Sequence, residues 1–152
     1  MLVQLNFPTY DFRISDIEGK TYIFDIIRKK YVMLTPEEWV RQHIVKFLID
    51  NQYPISLISV EKQIKVNHLK KRFDVLVFNK LTTPVMLIEC KAPDIKLTQE
   101  SLNQIALYNT QFKVDYLFIS NGIQHLICKF NKEQNKYFAV DSIPTWNNLN
   151  NI

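Results

Sequence analysis

Two apolar runs separated by a short polar link constrain this chain more than any other feature. They are Arg72–Phe78 (RFDVLVF) and Val85–Lys91 (VMLIECK), joined by Asn79–Pro84. Both are rich in strand-forming residues, and so short a connection predicts an antiparallel hairpin. In a symmetric hairpin Phe78 pairs with Val85, and counting back sets Asp74 directly opposite Glu89. Opposed side chains have β-carbons about 5 Å apart. Strand alternation puts Lys91 on the face of Glu89. Two ionised carboxylates at that separation repel each other. A hard divalent cation, magnesium or manganese, compensates them well. The expectation is phosphodiester hydrolysis by an activated water, with Lys91 orienting that water or stabilising the developing charge. On pattern alone the plainer alternative is an exposed hairpin end with a Glu–Lys surface pair.

The rest of the chain reads as one domain over residues 1–152. Residues 1–30 form an N-terminal hairpin extension, with a turn at Glu18-Gly19 and a second strand over Thr21–Ile27. Thr35, Pro36 and Glu38 make a helix start with a T-x-x-E capping box, and the helix runs to about Asp50. Leu57–Val66 is a strand. A second helix spans about Thr98–Gln111, with Leu102, Ile105, Ala106 and Tyr108 on its apolar face. Asp115–Ser120, His125–Phe130 and Tyr137–Val140 are further strands, and residues 142–152 are an irregular tail. Strands, helix, three strands, helix, strands predict an α/β (α+β) fold: a central mixed sheet flanked by helices.

Charge and cysteines narrow the function classes only modestly. Lys plus Arg number 19 against 15 Asp plus Glu, a net charge of +4. That suits a polyanionic partner without requiring one. Cys90 and Cys128 stand alone in apolar runs and read as buried free thiols in a reducing, cytoplasmic setting. The N-terminus lacks the basic start and apolar run of a signal peptide. No stretch approaches a membrane span.

Three further sets of residues bear on the chemistry. At 100° per residue Glu37 falls on the helix face of Val40, Ile44 and Leu48, whereas Glu38 falls off it and suits the capping box. An inward Glu37 points either to a neighbouring site or to the preference of first-turn acids for the helix dipole. Gln104 and Tyr108, four apart, share one flank of the second helix. Arg28-Lys29-Lys30 reads as a solvated basic cluster.

The ordered segments PEEWVRQ (36–42), KRFDVLVFN (71–79), IECKAP (88–93), NQIALYN (103–109) and YLFISNG (116–122) resemble the N-terminal nuclease domain of type I restriction enzyme R subunits, closest to small stand-alone members. The resemblance covers roughly residues 28–130. It implies the PD-(D/E)XK nuclease superfamily and magnesium-dependent cleavage of DNA, with Asp74 and Glu89 as metal-binding acids and Lys91 as the catalytic lysine. It further implies a Q-x-x-x-Y element at Gln104 and Tyr108, and a helix acid, Glu37 or Glu38, joining the site. The periodicity favours Glu37 as a third metal ligand. Phe73 stands where the superfamily motif has proline. No G-x-x-x-x-G-K-[ST] loop occurs, so no ATP site is expected in this chain. Lys70, Lys71 and Arg72 are candidate phosphate contacts. The partners expected are DNA, a second copy of the chain or restriction-modification subunits. The competing readings are a non-cleaving nucleic-acid or partner-binding module on the same fold, and a purely structural domain.

Overall fold

The computed structural model describes residues 2–66 and 68–150. A small antiparallel sheet comes first, of β1 (Ile14–Ile17), β2 (Lys20–Asp25) and β3 (Lys30–Met33). The predicted hairpin forms, and Gly19 makes its turn at φ +78°. The strand predicted over Thr21–Ile27 stops at Asp25, however. The Asp25 carboxylate accepts from the backbone N–H of Ile27 (2.7 Å) and Arg28 (2.9 Å), an Asx-type turn that sends the chain back as β3. Arg28 is therefore no part of a solvated cluster. Its guanidinium turns inward to Asp25 at 2.6 Å and Glu38 at 2.7 Å.

Helix α1 (Pro36–Asp50) begins as expected, with the Thr35 hydroxyl accepting from the Glu38 N–H at 3.0 Å. Six strands then build the main sheet around a second helix. They are β4 (Ile58–Val66), β5 (Leu69–Phe78), β6 (Pro84–Cys90), β7 (Tyr116–Ser120), β8 (His125–Asn131) and β9 (Lys136–Val140), with α2 (Gln99–Asn109) between β6 and β7. They lie in sequence order. Every neighbour pair is antiparallel except β6–β7, the one that α2 connects. A parallel pair requires such a crossover. The result is the expected mixed sheet between helices.

The sheet has a core on each face. Val40, Ile44, Val45 and Leu48 of α1 pack on Val75, Val77, Met86, Ile88 and Phe118. Leu102, Ile105 and Ala106 of α2 cover Leu76, Leu87, Leu117 and Ile119. Tyr108 is not part of that apolar face and is 47% exposed. The tail is a cover but not irregular. Residues Trp146–Asn150 form α3, whose Leu149 is wholly buried, and the Tyr53 hydroxyl donates to the Pro144 carbonyl at 2.6 Å. Residues 151–152 lie outside the described residues. Both cysteines are free and buried, as expected. Among the described residues no helix is long and apolar enough to cross a membrane.

Candidate active site at the fork between β5 and β6

The β5–β6 ladder sets Val75 against Ile88, Leu76 against Leu87 and Val77 against Met86. Continuing that register places Asp74 across from Glu89, as the hairpin count predicts. At the loop end the count fails. A register shift between Val77 and Phe78 pairs Phe78 with Pro84 instead of Val85. The Asn79 side chain organises this loop by accepting from the N–H groups of Leu81 and Thr83, at 2.9 and 3.0 Å.

The ladder ends at Val75, and the strands fork there. Alternation predicts that Phe73 shares a face with Val75 and Val77. Instead Phe73 belongs to the α2-side core, and Val75 and Val77 to the α1-side core. The partner strand turns over at the same level: Ile58 and Val60 pack on the α1 side, and Ile64 on the α2 side. Between them Glu61 takes φ +52°. Neither Glu61 nor Asp74 appears in the β4–β5 pairing, although the residues on both sides do. Such ladder irregularities re-aim side chains beside sites. Asp74 sits at this irregularity. Its Oδ2 accepts from the N–H of Cys90 at 2.7 Å, and its Oδ1 lies 3.6 Å from Arg41 of α1.

Glu89 approaches from the α2 side and is 8% exposed. Burial, the largest influence, and the neighbouring Asp74 carboxylate push its carboxyl above the ordinary glutamate range, while Lys71 pulls the other way. The Lys71 ammonium donates to Glu89 Oε1 and lies 3.4 Å from Asn109 Oδ1. It also sits 4.7 Å from the Tyr108 ring centre and 4.8 Å from that of Phe73. Lys71, Glu89, Lys91, Gln104, Tyr108 and Asn109 line one cleft of about 310 Å³. Lys91 thus falls on the face of Glu89, beside the Gln104–Tyr108 flank. Lys70 and Arg72 are exposed, and Lys71 is turned into the cleft away from them.

The helix acids divide differently from the periodicity. Glu38, not Glu37, is the buried one, at 6% exposure. Its carboxylate does not close a capping box. It accepts from Arg28 (2.7 Å), Arg41 (2.9 Å) and Gln42 (3.0 Å). The Glu37 side chain is 45% exposed and meets Arg41 at 3.4 Å. Its carboxyl is raised by partial burial and by the charge of Asp74, against the pull of Arg41 and Lys91. Glu37 therefore faces the site at longer range. The helix wheel misjudged the pair because it sees only α1 itself, and the end of β2 and its turn cover that flank of α1 with Asp25 and Arg28.

Sequence reasoning missed Arg41. It is 4% exposed and lies within 4 Å of Glu37, Glu38, Glu61 and Asp74. Its i+3 and i+4 spacing from Glu38 and Glu37 was the available signal. Asn109 was missed too. It is wholly buried, donating to the Ile105 carbonyl at 2.9 Å. A second cleft, of about 440 Å³ and lined by Leu2, Val3, Leu34, Trp39 and Pro93, holds only Asp94 as an ionisable group.

Among the described residues no three His, Cys, Asp or Glu side chains gather into a ready-made metal cage. Magnesium does not ordinarily use one. It is held by one or two carboxylates together with water and substrate phosphate. Asp74 and Glu89 supply two hard carboxylates, and the Lys71 ammonium already rests on one of them as a cation. The donor set fits a small divalent ion.

In comparison with known families, residues 36–144 match the one described as "Type I restriction enzyme R protein N terminus". Among curated proteins no sequence matches this one.

Proposed function

The chain belongs to the family of type I restriction enzyme R protein N termini, and from that premise we propose that it is a metal-dependent DNA endonuclease. What supports the reading is that Asp74 accepts from the N–H of Cys90, the residue between Glu89 and Lys91, and that its charge acts on Glu89. Glu89 and Lys91 themselves line the cleft with Lys71, Gln104 and Tyr108. Asp74 and Glu89 would hold magnesium or manganese. The bound ion supplies an acidified water and a counter-charge for phosphate oxygens.

The chain's own groups do the remaining work. The Cys90 N–H fixes one Asp74 oxygen, so that carboxylate needs no reorganisation. Lys91 places an ammonium on the Glu89 face, where it positions the attacking water or balances charge on the phosphate. Gln104 and Tyr108 form the opposite wall. Glu37 adds negative potential at the Asp74 end. Lys70 and Arg72, exposed beside the site, meet the DNA backbone. A double-strand break takes two such sites, from a second copy or from restriction-modification subunits.

A second reading rests on the ion pairs. Lys71 on Glu89 and Arg41 near Asp74 already balance both acids, as a binding module that never cuts would require. One assay separates the two. The parent and Lys91→Ala are incubated with plasmid and linear DNA in magnesium or manganese. The nuclease reading expects nicking by the parent and a loss of at least about 100-fold in the variant. DNA bound but uncut by both proteins establishes the binding module instead.

A further inference from the structure

The far ends of β4 and β5, residues 62–66 and 69–73, pair with each other beyond the β5–β6 ladder. Leu69–Phe73 pair with β4 alone, because the β5–β6 ladder begins at Val75. At about 3.3 Å per residue, those five residues carry a two-stranded ribbon roughly 17 Å beyond the fork. Its two faces differ. Ile64, Leu69 and Phe73 lean on the α2-side core, and Lys71 turns into the cleft. The opposite face carries Lys70 and Arg72 from β5, with Lys65 and Gln63 directly across from them. All four are exposed.

Lys65 opposes Lys70, a like-charge cross-strand pair, which destabilises a ribbon. No salt bridge among the described residues relieves either lysine, and no acid stands on this face until Glu61 and Asp74 at its base. A ribbon that retains that cost suits a polyanion as its counter-charge. The basic stripe also starts at the candidate catalytic acid, so a backbone lying along it passes Asp74.

We propose that the β4–β5 ribbon is a DNA-gripping arm whose Lys65, Lys70 and Arg72 face holds the phosphate backbone and feeds it to the fork. The arm rests on the reading of DNA as substrate, and adds Lys65 and the ribbon as a unit to the binding surface.

The test compares the parent, Lys65→Glu and Lys132→Glu on a duplex of about 30 base pairs, with affinity measured across a salt series and metal withheld. Lys132 lies in the β8–β9 turn at the other edge of the sheet, so it controls for net charge. Lys65→Glu is expected to bind about tenfold more weakly than Lys132→Glu. The slope of log affinity against log salt is expected to shrink by at least about 0.9 relative to that control. Because a carboxylate at position 65 would attract Lys70, this variant melts no lower than the parent, which separates lost contact from lost fold. Equal weakening by the two variants, or a Lys65→Glu protein that binds like the parent, overturns the arm. A parent that binds through the arm and cuts nothing when magnesium is added removes the nuclease reading and leaves the arm standing. Absence of duplex binding by the parent removes both.

Discussion

Asp74 combines two tasks in one carboxylate. Oδ2 satisfies the N–H of Cys90, a residue 1% exposed, and Oδ1 faces Arg41. The tasks come apart by substitution. Asp74→Ala leaves a buried N–H without a partner, at a cost of about 1–3 kcal/mol. Asp74→Asn keeps an acceptor for that N–H and should retain most of the stability, while abolishing metal-dependent cleavage. Urea denaturation beside a plasmid assay decides this. If both variants are equally destabilised, the Cys90 bond is not what matters at this position. Lys71 makes a second prediction at the same scale. Its ammonium occupies the carboxylate oxygen a divalent ion would use. Lys71→Met should therefore show a larger rise in melting temperature on adding manganese than the parent, because a competing cation is gone. An identical rise in both would place the ion elsewhere than Glu89.

Helix α1 carries adjacent acids with opposite duties, and they make an element-scale test. Glu38 is the counter-ion of a buried group formed with Arg28, Arg41, Asp25 and Gln42. Glu38→Gln strips that group of one charge and should cost about 3–5 kcal/mol. Glu37→Gln touches a half-exposed side chain. It should leave the melting temperature almost unchanged and lower the cleavage rate. The reverse pattern would make Glu38 the acid of the site. This pair also marks how far sequence reading reaches. Helix α1, its Thr35 cap and the Asp74–Glu89 register are set by contacts within about twenty residues, so local pattern displays them. Glu38's burial depends on Asp25 and Arg28, which stand in and beside a turn that folds back over α1, and helix periodicity carries no information about that turn. The change of face at Glu61 and Asp74 depends on two strands rearranging together. Neither leaves a periodic trace. The helix Trp146–Asn150 is too short for periodicity to register, and only its docking of Leu149 makes it stable.

At the scale of the whole molecule, the matched family region begins at residue 36, and the segment before it is fastened on from outside. Trp39 Nε1 donates to the Val3 carbonyl at 2.7 Å, and the Asn6 N–H donates to the Gly122 carbonyl at 2.7 Å. Phe7, Tyr10 and Phe12 surround His43 with ring centres 5.9, 5.9 and 4.8 Å away. His43 Nδ1 meets the Trp39 carbonyl at 2.8 Å. A carbonyl only accepts, so Nδ1 carries the proton and Nε2 is the nitrogen that titrates. Burial among these rings holds the imidazole below its ordinary value of 6.5, with the Trp39 carbonyl pulling the other way. The unfolded chain therefore takes up this proton at higher pH than the folded one. The contribution of His43 to stability is complete above about pH 6.5 and is lost as pH falls through the depressed folded value. Docking of residues 2–35 should weaken over that window. Limited proteolysis of the N-terminal segment should accelerate between about pH 7.5 and about pH 5.5, and His43→Phe, which keeps a ring and cannot titrate, should flatten that acceleration. Parallel pH profiles for parent and variant would mean that the segment is held by its backbone bonds and the Arg28–Glu38 group, with the aromatic cluster merely resting on top.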